Sequence, residues 1–180
     1  MNRTKIRIFL LTLTSTVFIL GCHKGGSSPS YKIGQSHGGG IIFFIEDSGL
    51  HGLICAPSDQ STGVKWADTM LFTDGTTKDL GDGQTNTNLI LANLGMGNYP
   101  AYLCHSLLLN GYNDWYLPSC FELEALLKYL ESNTSPNLKN ANYWSSTDIG
   151  NTYAYSVSVT GASNGSPKTN LYAVRAIRSF

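Results

Sequence analysis

Trp144-Ser145-Ser146-Thr147-Asp148 sets an indole beside three hydroxyls and a carboxylate. Aromatic faces stack on sugar rings, and hydroxyls and carboxylates hydrogen-bond to sugar hydroxyls. Trp144, Ser146 and Asp148 are therefore the candidate ligand-binding residues. Such groups are also the ones a folded core satisfies internally, and Trp115 is expected there. Asp74, Asp79 and Asp82 gather carboxylates as calcium sites do, but their spacing is not that of an EF-hand, and a solvated loop is expected. His37, His51 and His105 lack zinc-ligand spacing with the cysteines. No phosphate-binding loop or nucleophile elbow occurs. The residues imply no metal, no cofactor and no catalysis.

Three cysteines lie in the folded region: Cys55, Cys104 and Cys120. In an oxidising compartment two of them could bridge, in any of three pairings, leaving one free thiol. Cys120 falls at an expected helix N-terminus, which would lower its thiol pKa.

These side chains must be positioned by elements with their own signals. Gly38 to Ile45 is an apolar run after a glycine cluster and predicts a strand, paired as a hairpin with Leu53 to Ala56. Residues 67–88 are polar and aperiodic, a long loop. A short helix is expected from Thr87, capped by Asn86 or Thr87, and another from Pro100 to Leu109, closed by Asn110-Gly111. Ser119-Cys120-Phe121-Glu122 is a capping box, and Leu123, Leu126, Leu127 and Leu130 then form one apolar helical face. Tyr153 to Val159 alternates as a strand, Asn164-Gly165 signals a turn, and Ala173 to Arg178 reads as one further strand. Strands, then helices, then strands predict an α+β domain over residues 31–180. Arg175 and Arg178 are expected to face opposite ways, one of them pairing with Asp114 or Glu122.

The N-terminus reads as an address. Arg3, Lys5 and Arg7 precede an apolar stretch from Ile8 to Leu20, shorter than the roughly 20 residues a bilayer span needs. Ile19-Leu20-Gly21-Cys22 resembles the lipobox of bacterial lipoprotein precursors. The resemblance implies a signal peptide over residues 1–21, cleavage before Cys22 and lipidation of its thiol, with residues 22–30 as a flexible tether. His23 after the cysteine favours the outer over the inner membrane by the same resemblance. Once residues 1–21 are removed, 9 basic residues face 12 acidic ones. That balance argues against nucleic acid as a partner.

Five ordered segments carry a second resemblance: Tyr31-Lys32-Ile33-Gly34 with Gly38 to Phe43; His51 to Ile54 with Asp59-Gln60; Gly111 to Ser119; Tyr143 to Thr147; and Val174 to Arg178. Together they resemble the Lcl C-terminal domain family. The resemblance implies a C-type-lectin-like fold with short antiparallel strands, two to three helices and long polar loops. It also implies a bacterial surface protein, since the namesake is an adhesin that binds sulfated glycosaminoglycans. The expected function is a lipid-anchored, non-catalytic binding protein whose partners are the membrane and a glycan or envelope protein. A structural component of the cell envelope is the alternative, and an unrecognised hydrolase is a more distant one.

Overall fold

A computed structural model describes residues 31–46, 49–133 and 141–180. Cys22, with the expected signal peptide and tether, lies outside the described residues. The chain forms β1 (Ser36–His37), β2 (Gly40–Ile45), β3 (Gly52–Cys55), β4 (Ser61–Val64), α1 (Gly83–Leu94), α2 (Pro100–His105), α3 (Cys120–Ser132), β5 (Asn142–Asp148), β6 (Tyr153–Ser158), β7 (Ser163–Pro167), β8 (Tyr172–Val174) and β9 (Ile177–Ser179). A four-stranded sheet has the order β1-β2-β3-β9, and a five-stranded sheet the order β4-β8-β5-β6-β7. All pairs are antiparallel except β5 with β8. The domain is α+β, as expected.

Successive strand residues point to opposite faces. Ile42, Ile54, Trp144 and Val174 enter one buried cluster, with Trp66, Ile90, Ala101 and Trp115. Their neighbours Phe43, Leu53, Cys55, Tyr143 and Ala173 enter a second, with the leucines of α3. Burial on both faces explains why β2 reads as a continuous apolar run. All these elements and both clusters lie within residues 31–180.

The capping box forms as expected: Ser119 Oγ accepts from Glu122 N, and Glu122 Oε2 accepts from Ser119 N at 2.8 Å. Leu123, Leu126, Leu127 and Leu130 are buried. The β2–β3 hairpin also forms.

Four local expectations are corrected. α1 begins at Gly83, so Asn86 and Thr87 lie inside it. Their side chains serve distant backbone instead. Asn86 exchanges two hydrogen bonds with the Thr77 peptide, and Thr87 Oγ1 accepts from Leu117 N at 3.0 Å. Asn110-Gly111 does not cap α2, which ends at His105; both residues have positive φ, 53° and 85°, and turn the chain between the bridged pair Leu109 and Tyr112. Asn164-Gly165 sits within β7, and the turn before it is at Gly161. Ala173 to Arg178 is not one strand, because β8 and β9 belong to different sheets.

Candidate functional site

The run from Trp144 to Asp148 is buried throughout, and this corrects its reading as a ligand surface. Trp144 is fully buried and its Nε1 donates to Val64 O at 2.8 Å. Ser146 Oγ accepts from Asn86 Nδ2 at 3.2 Å, and its N–H donates to Pro118 O. Thr147 Oγ1 donates to Thr77 O at 2.8 Å. Asp148 Oδ2 accepts from Thr73 N and from Lys168 Nζ, each at 2.8 Å. β5 is thus a hydrogen-bonding rack that fixes the loop between β4 and α1. Buried hydroxyls and carboxylates need such partners, and the loop backbone supplies them. Trp115 is also buried, as expected.

Arg175, in the link between β8 and β9, and Arg178, on β9, both pair with carboxylates. Arg175 Nε donates to Asp59 Oδ1 at 2.6 Å. Arg178 grips Asp114 with two bonds, and its guanidinium lies 4.1 Å from the Tyr112 ring centroid. Asp114 is the partner the sequence suggested; Glu122 instead caps α3.

Arg178 holds together one open feature that joins distant segments. Its Nη1 donates to Gly38 O, in the turn between β1 and β2, at 3.1 Å. Asn110, in the turn before Tyr112, donates from Nδ2 to Gly39 O at 2.8 Å. Two tight turns are therefore clamped side by side. Between them lies a groove of about 490 Å³ bordered by Ser36, His37, Gly38 to Ile41, Pro57 and Asn110. The glycines are required here. A Cβ on Gly40 would lie 2.2 Å from Cys55 O, and one on Gly39 would lie 2.7 Å from the Tyr112 ring. Tyr112 stays 38% exposed beside that turn. His37 is braced by Tyr31 and Phe180, with ring centroids at 4.8 and 5.3 Å.

The groove lining contains a hydroxyl, an imidazole, a carboxamide and backbone groups, next to the apolar edges of Ile41 and Pro57. No carboxylate or lysine borders it. Among the described residues no group of three or more His, Cys, Asp or Glu could hold a metal. Asp82 accepts from Thr77 Oγ1 and Asp74 accepts from Gly75 N, so both serve their own loop.

The sequence model of the Lcl C-terminal domain family matches residues 56–178, more than half of the chain. The chain belongs to the Lcl C-terminal domain family. The matched region supplies Pro57, Asn110, Tyr112, Asp114 and Arg178, while the β1–β2 hairpin that closes the groove precedes it. A fimbrial protein from Bacteroides ovatus ATCC 8483 has a similar fold, with a TM-score of 0.50 at 19% identity over 70% of this chain. The chain spans 35% of that protein's length. No curated protein matches the chain in sequence.

Cys104 and Cys120 within the matched Lcl C-terminal domain, and Cys55 just before it, are buried free thiols, which corrects the expected disulfide. Cys104 packs in the first core cluster, and Cys55 and Cys120 in the second. The expected low thiol pKa of Cys120 is corrected as well. Burial, reinforced by the Glu124 carboxylate, pushes it up to about 11, and burial pushes Cys55 up to about 11. The N-terminal dipole of α3 is outweighed because the thiol is shut away from water.

Sequence reasoning missed Tyr112, His37 and Asn110 as site residues. Asn110-Gly111 reads in the sequence as a helix C-cap, and nothing local shows that Gly39 stands against it.

Proposed function

We propose that the domain is a non-catalytic, lectin-like binding module of an exported, lipid-anchored surface protein, and that the groove beside Tyr112 takes a neutral glycan. One observation carries the reading. The groove offers uncharged hydrogen-bonding groups next to an exposed aromatic ring, on a frame locked by Arg178. Sugars present hydroxyls at their edges and C–H groups on their faces, and such a lining answers both. Catalysis by acid–base chemistry would need paired titratable groups, and His37 is the lone titratable side chain on this lining. No lysine lines the groove, the neighbouring Arg178 is paired with Asp114, and the mature balance is acidic, which together favour neutral over sulfated sugars. Among the described residues no helix is long and apolar enough to cross a membrane; in this reading the membrane association comes through lipid on Cys22.

A glycan array probed with residues 31–180 tests the proposal. Binding to neutral glycans above sulfated ones supports it; silence across the array, or preference for sulfated chains that fades with salt, defeats it. Labelled palmitate entering the wild-type full chain but not Cys22→Ser tests the anchor separately.

A further inference from the structure

β7 ends the five-stranded sheet, and among the described residues no strand pairs with its outer side. Ser158 N donates to Ala162 O, and Lys168 N donates to Thr152 O. Between these bonds the β6–β7 register runs without a bulge: Ser156 faces Asn164 and Ala154 faces Ser166. Antiparallel ladders alternate bonded and non-bonded pairs. Asn164 and Ser166 therefore spend their backbone groups on β6. Ser163 and Gly165 direct their N–H and C=O groups outward.

From Ser163 to Gly165 this edge lacks the charges and bulges that usually blunt one, and Pro167 at its end is the one such device. Its outward groups are self-complementary. In an antiparallel pair with a twofold axis at Asn164, Ser163 of one copy faces Gly165 of the other, and the two pairs exchange four hydrogen bonds. Pro167, which lacks an N–H, falls outside the bonded set. Asn164 meets its own copy across the axis, where two carboxamides can bond to each other. The strand's lack of charge means that doubling it brings no like charges together. Ile149, 42% exposed, reaches to within 3.1 Å of where a Gly165 Cβ would stand, so a partner strand would cover it.

We propose that the β7 edge is a self-association surface, joining two copies of this chain into a ten-stranded sheet about a twofold axis at Asn164. The inference is independent of the groove beside Tyr112. A pair of binding grooves on one anchored dimer would then engage a repetitive glycan together.

Sedimentation equilibrium of residues 31–180 reads this directly. The proposal expects a mass twice that of one chain. Gly165→Pro removes an outward N–H and leaves the β6 ladder whole, and Asn164→Lys sets two cations face to face at the axis; each is expected to halve the mass with unchanged circular dichroism. In the full chain, Asn164→Cys is expected to give a disulfide-linked dimer on non-reducing gels, because non-bonded antiparallel pairs bring Cβ atoms close. A wild type that stays monomeric up to millimolar concentration overturns the proposal. So does a dimer that persists in folded Gly165→Pro, since it would lie on another face.

Discussion

Arg178 places Nε and Nη2 each 2.7 Å from an oxygen of Asp114, across 64 residues of sequence, while its third nitrogen holds Gly38 O. This planar fork ties β9, the β1–β2 turn and the segment after Tyr112 into one corner. Lysine cannot reproduce two parallel bonds and a stacked face. Arg178→Lys is expected to cost about 1 to 3 kcal/mol in urea unfolding. It is also expected to weaken glycan binding more than tenfold, because the groove wall loses its brace.

The pair also makes a pH signature. Arg178 holds the Asp114 carboxyl below its ordinary range. A depressed folded pKa contributes stability above the unfolded carboxylate value and loses it as pH falls through the folded value. Asp114 is half exposed, so the contribution is under about 1 kcal/mol. The stability gap between wild type and Asp114→Asn is therefore expected near neutrality and to close below about pH 4.

Glu122 behaves oppositely. Burial raises its carboxyl above the ordinary value, against the pull of its backbone donors. A raised folded pKa favours the folded state while the group is protonated, and that contribution fades as pH climbs from the unfolded value through the folded one. The carboxylate nonetheless accepts from Ser119 N, Gly81 N and Tyr116 Oη. Glu122→Ala is expected to cost about 2 to 4 kcal/mol in chemical denaturation, since a cap is lost and buried donors are orphaned. A loss below 1 kcal/mol would contradict its role as the tie between α3 and the loop at Gly81.

Lys168 and Asp148 form a buried pair at 2.8 Å, with the ammonium 4.4 Å from the Trp66 ring centroid and 2.7 Å from Leu71 O. Removing one partner strands the other's charge, so Lys168→Met is expected to cost about 3 to 5 kcal/mol by calorimetry or urea titration. The pair also pins the loop at Leu71 and Thr73, so proteolysis in this variant is expected to begin between residues 67 and 82.

The thiols can be counted. In residues 31–180, Ellman's reagent is expected to find no reactive cysteine in the native state and three in denaturant, because each thiol is buried. Finding one in denaturant would instead mean a disulfide.

Much of the fold was legible where local chemistry and tertiary structure agree. The capping box at Ser119 and the spacing of Leu123 to Leu130 specify α3 without help from elsewhere. The β2–β3 hairpin was readable for the same reason. Legibility failed where a residue's partner lies far along the chain. Asn86 and Thr87 look like caps, yet Thr77, Ser146 and Leu117 claim their side chains. Asn164-Gly165 looks like a turn, but pairing with Ser156 and Tyr155 draws it into a strand. Trp144 and its polar neighbours have the composition of a binding surface and the burial of a core. The groove was hidden most thoroughly, because its two turns meet through Asn110 bonded to Gly39 O, 71 residues away, and Arg178 bonded to Gly38 O, 140 residues away.

Paired glycan arrays of wild-type residues 31–180 and Tyr112→Ala, both checked for a native circular dichroism spectrum, test the binding account most directly. We expect the wild type to bind neutral glycans and Tyr112→Ala to lose at least tenfold in apparent affinity, as removal of a stacking ring should. Equal binding by the two proteins, or none by the wild type, would contradict it.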